Sequence, residues 1–291
     1  MLVKAKSKIY IAGEYAVLRK GSYALIAAVD KYTYLNIEKS EKEEVISPIK
    51  DKDDILKYAR EQAFLYVGKY EKFKYTYSTD LYKGNKKIGL GSSASVVVVT
   101  IKSILEYFGL KYTKDDLFLL SVHALKKAGQ TGSMGDVACI CFEDLILYKS
   151  IDDNDNFEVK IVKPKGVLKI DAIWSGIEAS TKKQISPIKN IYNTKNFQKF
   201  CDISDKLTLN LVNLIEKGEN NELENCIEKL KCNLEFLQNF SKINIVSESL
   251  KKIINENKRR KTSGAGLGDF VIEVSLVYDE KRSAYVVCTR L

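Results

Sequence analysis

Histidine occurs once in these 291 residues, at position 123, and proline three times, at positions 48, 164 and 187. With a single histidine, no Ser-His-Asp triad or Cys-His pair is available unless His123 serves it. That residue sits in "LFLLSVHALKKAG", whose spacing predicts a helix with His123 packed or half-exposed on it. So little proline excludes a Pro-rich linker between independent domains. The six cysteines, at 139, 141, 201, 226, 232 and 288, never form C-x-x-C, so zinc-ligand spacing is absent and the pattern suits a reducing cytosol. Cys139 and Cys141 are expected on one face of a strand, as small apolar residues. No run reaches the roughly 18–20 apolar residues of a membrane span. The N-terminal "MLVKAKSKIYIAGEYAV" has no small-residue cleavage pattern and is expected to be a first strand rather than a signal peptide. A Walker A loop and internal repeats are both missing.

What is present is an ordinary globular balance, 45% hydrophobic and 29% charged, with a net charge of +9. That charge admits nucleic acid, an acidic membrane or anionic small molecules as partners. The one dense basic cluster, "NENKRRKTSG" (255–264), reads as a solvated face. It lacks the aromatic or helix-turn-helix context that nucleic-acid binding needs.

Strands are expected in "KIYIAGEYAVL", "KYTYLNIE" and 72–79, and helices over 53–70 and 113–129. The segments "VACICFEDLILYKS", "FEVKIVK" and "VLKIDAIWSG" read as β-rich. Helices are expected near 195–217, 220–239 and 244–258, followed by two strands that form a closing hairpin. The fold class expected is α+β with two lobes, 1–165 and 166–291, rather than a doubly wound parallel sheet.

The segment "KKIGLGSSASVVVVT" (86–100) carries the chemistry. A long run without breakers predicts a helix beginning near Ser93. Its Gly- and Ser-rich entry offers unpaired N–H groups at the positive end of the helix dipole. Ser92, Ser93 and Ser95 add hydroxyls, usable by phosphate or by a hard cation such as Mg²⁺. Lys86 and Lys87 raise the local potential. Gly89-Leu90-Gly91-Ser92-Ser93-Ala94 also fits G-x-G-x-x-A literally, but the acid expected about 20 residues on is missing, which argues against a dinucleotide fold. A ligand-free tight turn is the bland alternative. Two further small-residue loops, "GQTGSMGD" (129–136) and "SGAGLGD" (263–269), favour several backbones converging on a charged ligand.

"SKIYIAGEYAVL" (7–18), "GLGSSAS" (89–95) and "SGAGLGD" (263–269), in this order, resemble the three motifs of the GHMP kinase superfamily. The GEYAV turn, the GSMGD loop and "WSGIEAST" (174–181) are most similar to its bacterial phosphomevalonate kinases. The resemblance covers nearly the whole chain. It departs in having Lys-Lys where relatives carry a proline before the first loop. It departs again in ending soon after Asp269, where relatives continue with a helix and a strand.

The resemblance implies a cytosolic two-lobed fold with the site in a cleft, Mg-ATP dependence and mevalonate 5-phosphate as acceptor. Mevalonate kinase or another small-molecule kinase of the superfamily is the alternative, and a non-catalytic metabolite-binding relative is the non-enzyme one. Monomer and homodimer stay open. The implied catalytic residues are Lys8, bridging the two phosphates, and Asp136, which orients the acceptor, holds Lys8 or helps bind Mg²⁺. Lys87, Gly89, Leu90, Gly91, Ser92, Ser93, Ala94 and Ser95 are the implied ATP loop, with Ser93 on the metal. Tyr15, Gly132, Ser133, Ser180, Thr181, Ser263, Gly264, Ala265 and Gly266 are the implied acceptor and phosphate contacts; Ser180 and Thr181 read equally well as a helix cap.

Overall fold

The computed structural model describes residues 1–48, 51, 53–83, 86–176, 185–264, 270–277 and 285–289. It is a mixed α/β protein whose chain gathers into two compact units. One holds residues 1–8 and 30–143, and the other 9–29 and 144–291. The chain passes between them inside its first two strands and after Glu143. These units follow spatial contact, whereas the expected division at residue 165 is one along the sequence.

In the first unit, β1 (Leu2–Ala12) begins and the later part of β2 (Tyr23–Lys39) pairs antiparallel with β4 (Phe73–Thr79), from Thr33↔Thr79 to Lys39↔Phe73. A short β3 (Glu44–Ile46) runs parallel to β4. Alternation in β4 buries Phe73, Tyr75 and Tyr77 on one face. Four helices belong to this unit: α1 (Ile55–Val67), α2 (Ser92–Tyr107), α3 (Lys114–Lys127) and α4 (Gly135–Phe142). A two-stranded ribbon, β5 (Tyr82–Lys83) with β6 (Lys86–Lys87), precedes α2.

Helix α2 contains four consecutive valines. Their helix propensity is unfavourable by at most ~0.7 kcal/mol each, whereas burying each side chain stabilises by about 1.5–3 kcal/mol. All four are buried, so packing wins. Two hydroxyl contacts tie the helix to the sheet, Tyr77 to Thr100 and Thr33 to Ser95, each 2.8 Å.

In the second unit, the start of β2 pairs with β7 (Leu145–Ser150), which pairs with β8 (Phe157–Ile161). A second sheet has the order β10-β11-β9-β12, built from β9 (Val167–Trp174), β10 (Arg260–Ser263), β11 (Phe270–Val277) and β12 (Tyr285–Thr289). Helices α5 (Ile188–Ile191), α6 (Lys195–Lys217), α7 (Asn220–Ser241) and α8 (Glu248–Asn255) complete it. The Thr194 side chain caps α6, and Gly218, at φ +79°, ends it. Among the described residues, no helix is long and apolar enough to cross a membrane.

Three expectations are corrected. "VACICF" is not a strand but the body of α4, so Cys139 and Cys141 are helix residues, both buried. A continuously buried apolar run has no periodicity to distinguish the two. The last two strands form no hairpin: β11 pairs antiparallel with β9, and β12 pairs parallel with it. The basic cluster is not simply a solvated face, because Arg260–Ser263 is a strand and Lys261 is fully buried in it.

Candidate active site

Strand β1 brings Lys8 to the first glycine-rich loop. The Lys8 N–H donates to the Leu90 carbonyl at 3.1 Å. The Leu90 side chain is fully buried and anchors the loop, while its own N–H donates to Ile88 O at 2.8 Å. Gly91 has φ +86°, and a Cβ there would sit 2.8 Å from Cε of Lys8 and 3.2 Å from its Cγ. The alkyl stem of Lys8 therefore lies across the bare face of Gly91. Glycine is needed here both for its backbone conformation and for the close approach. Lys8 is held with only 8% exposure.

Gly91 is also the N-cap of α2, with no side chain capping the helix. The first N–H groups of a helix have no intrahelical acceptor, and the dipole makes this end positive. Ser92 is buried with its Oγ unpartnered, while Ser93 in the same turn is exposed. One orphaned hydroxyl, one open hydroxyl and uncapped amides form a donor set that suits phosphate oxygens.

Ser95 has its side chain engaged within the unit. Its hydroxyl meets Thr33 and donates to Ser92 O at 3.1 Å, and its N–H donates to Gly91 O at 3.0 Å. It braces the loop from behind. Ala94 is buried as well, and Lys87 lies in β6 ahead of the loop. Lys102, further along α2, pairs with Glu143 at 3.2 Å.

The middle loop belongs to the same unit. Asp136 lies in the first turn of α4, which packs against α2 and α3. Its Oδ1 accepts from the Val137 N–H at 2.9 Å. Ser133 accepts from the Gly135 N–H at 3.4 Å, and Gly132 is exposed. Burial raises the Cys141 thiol and pushes Cys201 up to about 12, so neither of these two is suited to nucleophilic work.

The remaining expected residues fall in the second unit or outside the described residues. Tyr15 is 5% exposed, with φ +61°, inside an apolar cluster with Ile188, Phe197 and Phe200. The Ser263 hydroxyl donates to Tyr10 O at 2.7 Å, and Gly264 takes φ +71°. Ser180, Thr181, Ala265 and Gly266 lie outside the described residues. Sequence reasoning missed the buried pair Glu14–Lys261, at 2.5 Å in this unit. Glu14 stands in the quoted GEYAV turn, but nothing local in the sequence marks Lys261 as its partner.

Residues 54–144 match the GHMP kinases N terminal domain. The phosphomevalonate kinase of Streptomyces sp. (strain CL190) is 23% identical over 91% of this chain and 87% of its own. A mevalonate kinase from Thermococcus sibiricus is 26% identical over 75% of this chain and 68% of its own. Among solved structures, the Streptococcus pneumoniae phosphomevalonate kinase in complex with phosphomevalonate and AMPPNP superposes with a TM-score of 0.83. It is 29% identical, over 95% of this chain and 92% of that one.

Proposed function

The chain belongs to the GHMP kinases, and from that premise we propose that it transfers the γ-phosphoryl group of ATP to mevalonate 5-phosphate, giving ADP and mevalonate 5-diphosphate. The observation that carries the reading is the seating of Lys8 across Gly91, at the uncapped start of α2. It sets an ammonium group beside a cluster of phosphate-seeking amides. Similarity to an enzyme solved with this acceptor and an ATP analogue favours it over the mevalonate kinase reading.

A phosphate monoester loses its second proton near pH ~6, so the attacking oxygen is already anionic at neutral pH. The difficulty is the approach of two polyanions rather than removal of a proton. Catalysis of this kind rests on alignment and positive charge. In this reading Lys8 lies between acceptor phosphate and γ-phosphoryl group and offsets the charge of both. The α2 amides, with Gly89 and Gly91, hold the nucleotide phosphates, and Lys87 adds positive potential. Asp136 orients the acceptor or Lys8. Ser133, Gly132, Tyr15 and the 263–266 and 180–181 segments remain proposed acceptor-side and phosphate-side contacts.

Magnesium belongs to the proposal. Among the described residues no cluster of three or more His, Cys, Asp or Glu could hold a metal. That fits an ion carried mostly by substrate phosphates, with one or two protein oxygens added. Ser93, exposed in the first turn of α2, and Ser92, orphaned beside it, would supply them. Bound there, the ion would neutralise charge on the β- and γ-phosphates. We place the reaction in the cytosol, in keeping with Cys141, Cys201, Cys226 and Cys232, which form no disulfide among the described residues.

The test is coupled ADP release with mevalonate 5-phosphate, mevalonate, mevalonate 5-diphosphate, homoserine and galactose. Turnover of mevalonate 5-phosphate alone is expected. Turnover of mevalonate instead would move the assignment to the neighbouring family, and nucleotide binding without any turnover would make the chain a sensor.

A further inference from the structure

Lys261 is fully buried, and among the described residues its ammonium donates to oxygens of its own unit: Glu14 Oε1 at 2.5 Å and the Thr262 carbonyl at 2.7 Å. Glu14 is 4% exposed. Taking both charges out of water is costly, and an apolar pair of similar volume is often as stable or more so. Stability alone is therefore a weak reason for such a pair, and its location suggests another.

Glu14 sits in a constrained turn. Gly13 before it has φ +87°, and a Cβ there would come within 2.1 Å of the Tyr23 carbonyl oxygen. Tyr15 after it has φ +61°, uncommon for a residue with a side chain. Backbone of this kind persists where its surroundings over-determine it. Lys261 is part of those surroundings. So is Ser263, two residues on and hence on the same face of β10, whose hydroxyl holds Tyr10 O at 2.7 Å. One face of β10 is thus fastened at two points to the segment 10–14. The third glycine-rich loop leaves β10 directly after them, at Gly264 with φ +71°.

We infer that Lys261, through its buried pair with Glu14, is a positioning residue for phosphoryl transfer: it fixes where the third glycine-rich loop departs relative to the Gly13–Glu14–Tyr15 turn. This rests on the phosphotransfer reading above. The pair sets the separation of two backbone segments that the reading above proposes as acceptor-side and phosphate-side contacts.

Glu14→Asp keeps both charges and shortens the link by one methylene, while Glu14→Gln with Lys261→Met removes both charges at nearly constant volume. Both proteins and the wild type are compared by thermal unfolding and by steady-state kinetics with ATP and mevalonate 5-phosphate. Both variants are expected to unfold near the wild-type temperature. Their kcat and kcat/KM should fall together, on the order of 10²-fold, with KM little changed. Wild-type kcat in the double variant would overturn the inference, as would loss of activity that merely tracks loss of folded protein. Failure of both variants to fold would make the pair a folding element and overturn it too. No turnover by the wild type would sink the phosphotransfer reading itself, and this inference with it, whereas wild-type turnover matched by both variants would sink the positioning role alone.

Discussion

Lys8 and Gly91 act as one unit at the scale of single residues. The lysine stem occupies the space that any other residue at 91 would fill with its Cβ. Lys8→Met keeps the stem and removes the charge. Its kcat is expected to drop about 10²–10³-fold, the cost of losing one preorganised charge-stabilising group, with an unfolding temperature close to wild type. A near-normal kcat would remove Lys8 from the mechanism. Gly91→Ala forces an alanine into the left-handed region, at about 1–2 kcal/mol, and pushes Lys8 off its seat. Urea unfolding should report the first effect and kcat the second; a stable, fully active Gly91→Ala would contradict the seating. The motif singles out Lys8 as a candidate, whereas its contact with Gly91 is not legible in the sequence. Nor are the contacts of the Ser95 hydroxyl with Thr33 and the helix backbone.

Among elements, α3 gives the cleanest sequence-to-energy link. Thr113 and Asp116 form a reciprocal capping box: the Thr113 hydroxyl accepts from Asp116 N–H, and the Asp116 carboxylate accepts from Thr113 N–H at 2.8 Å. The Thr113 N–H first, and second the Thr113 hydroxyl, which donates to the same carboxylate oxygen at 2.7 Å, hold the Asp116 carboxyl below its ordinary 3.8. A depressed folded-state pKa stabilises fully above the unfolded value and is lost as pH falls through the folded one. Thr113→Ala should cost about 0.5–2 kcal/mol near neutral pH, with kcat per folded molecule unchanged. NMR titration should find Asp116 moved up towards 3.8, and the stability gap to wild type should narrow in acid. A gap constant with pH would refute the box as its source. The cap was legible because capping is local. Helix α4 was not, because its five buried residues from Val137 to Cys141 suit either secondary structure.

Across the whole molecule, a net charge of +9 would act on the two anionic substrates of the proposed reaction. If long-range attraction assists capture, kcat/KM for mevalonate 5-phosphate should fall as salt rises and the Debye length contracts from roughly 30 Å at 0.01 M to about 8 Å at 0.15 M. The value of kcat itself should stay nearly flat. A kcat/KM independent of salt would confine the role of charge to the bound state.

The sequence by itself determined the α/β character, most helices and strands, the three glycine-rich loops and the family they resemble. Periodicity, capping and backbone freedom act over a few residues, so a linear string records them. Tertiary structure decided that α4 is a helix, that β12 lies beside β9 rather than β11, and that one lysine of a basic cluster is buried against Glu14. Each of those outcomes depends on what lies across the core from a residue, and burial against a distant partner outweighs the preference of any short segment.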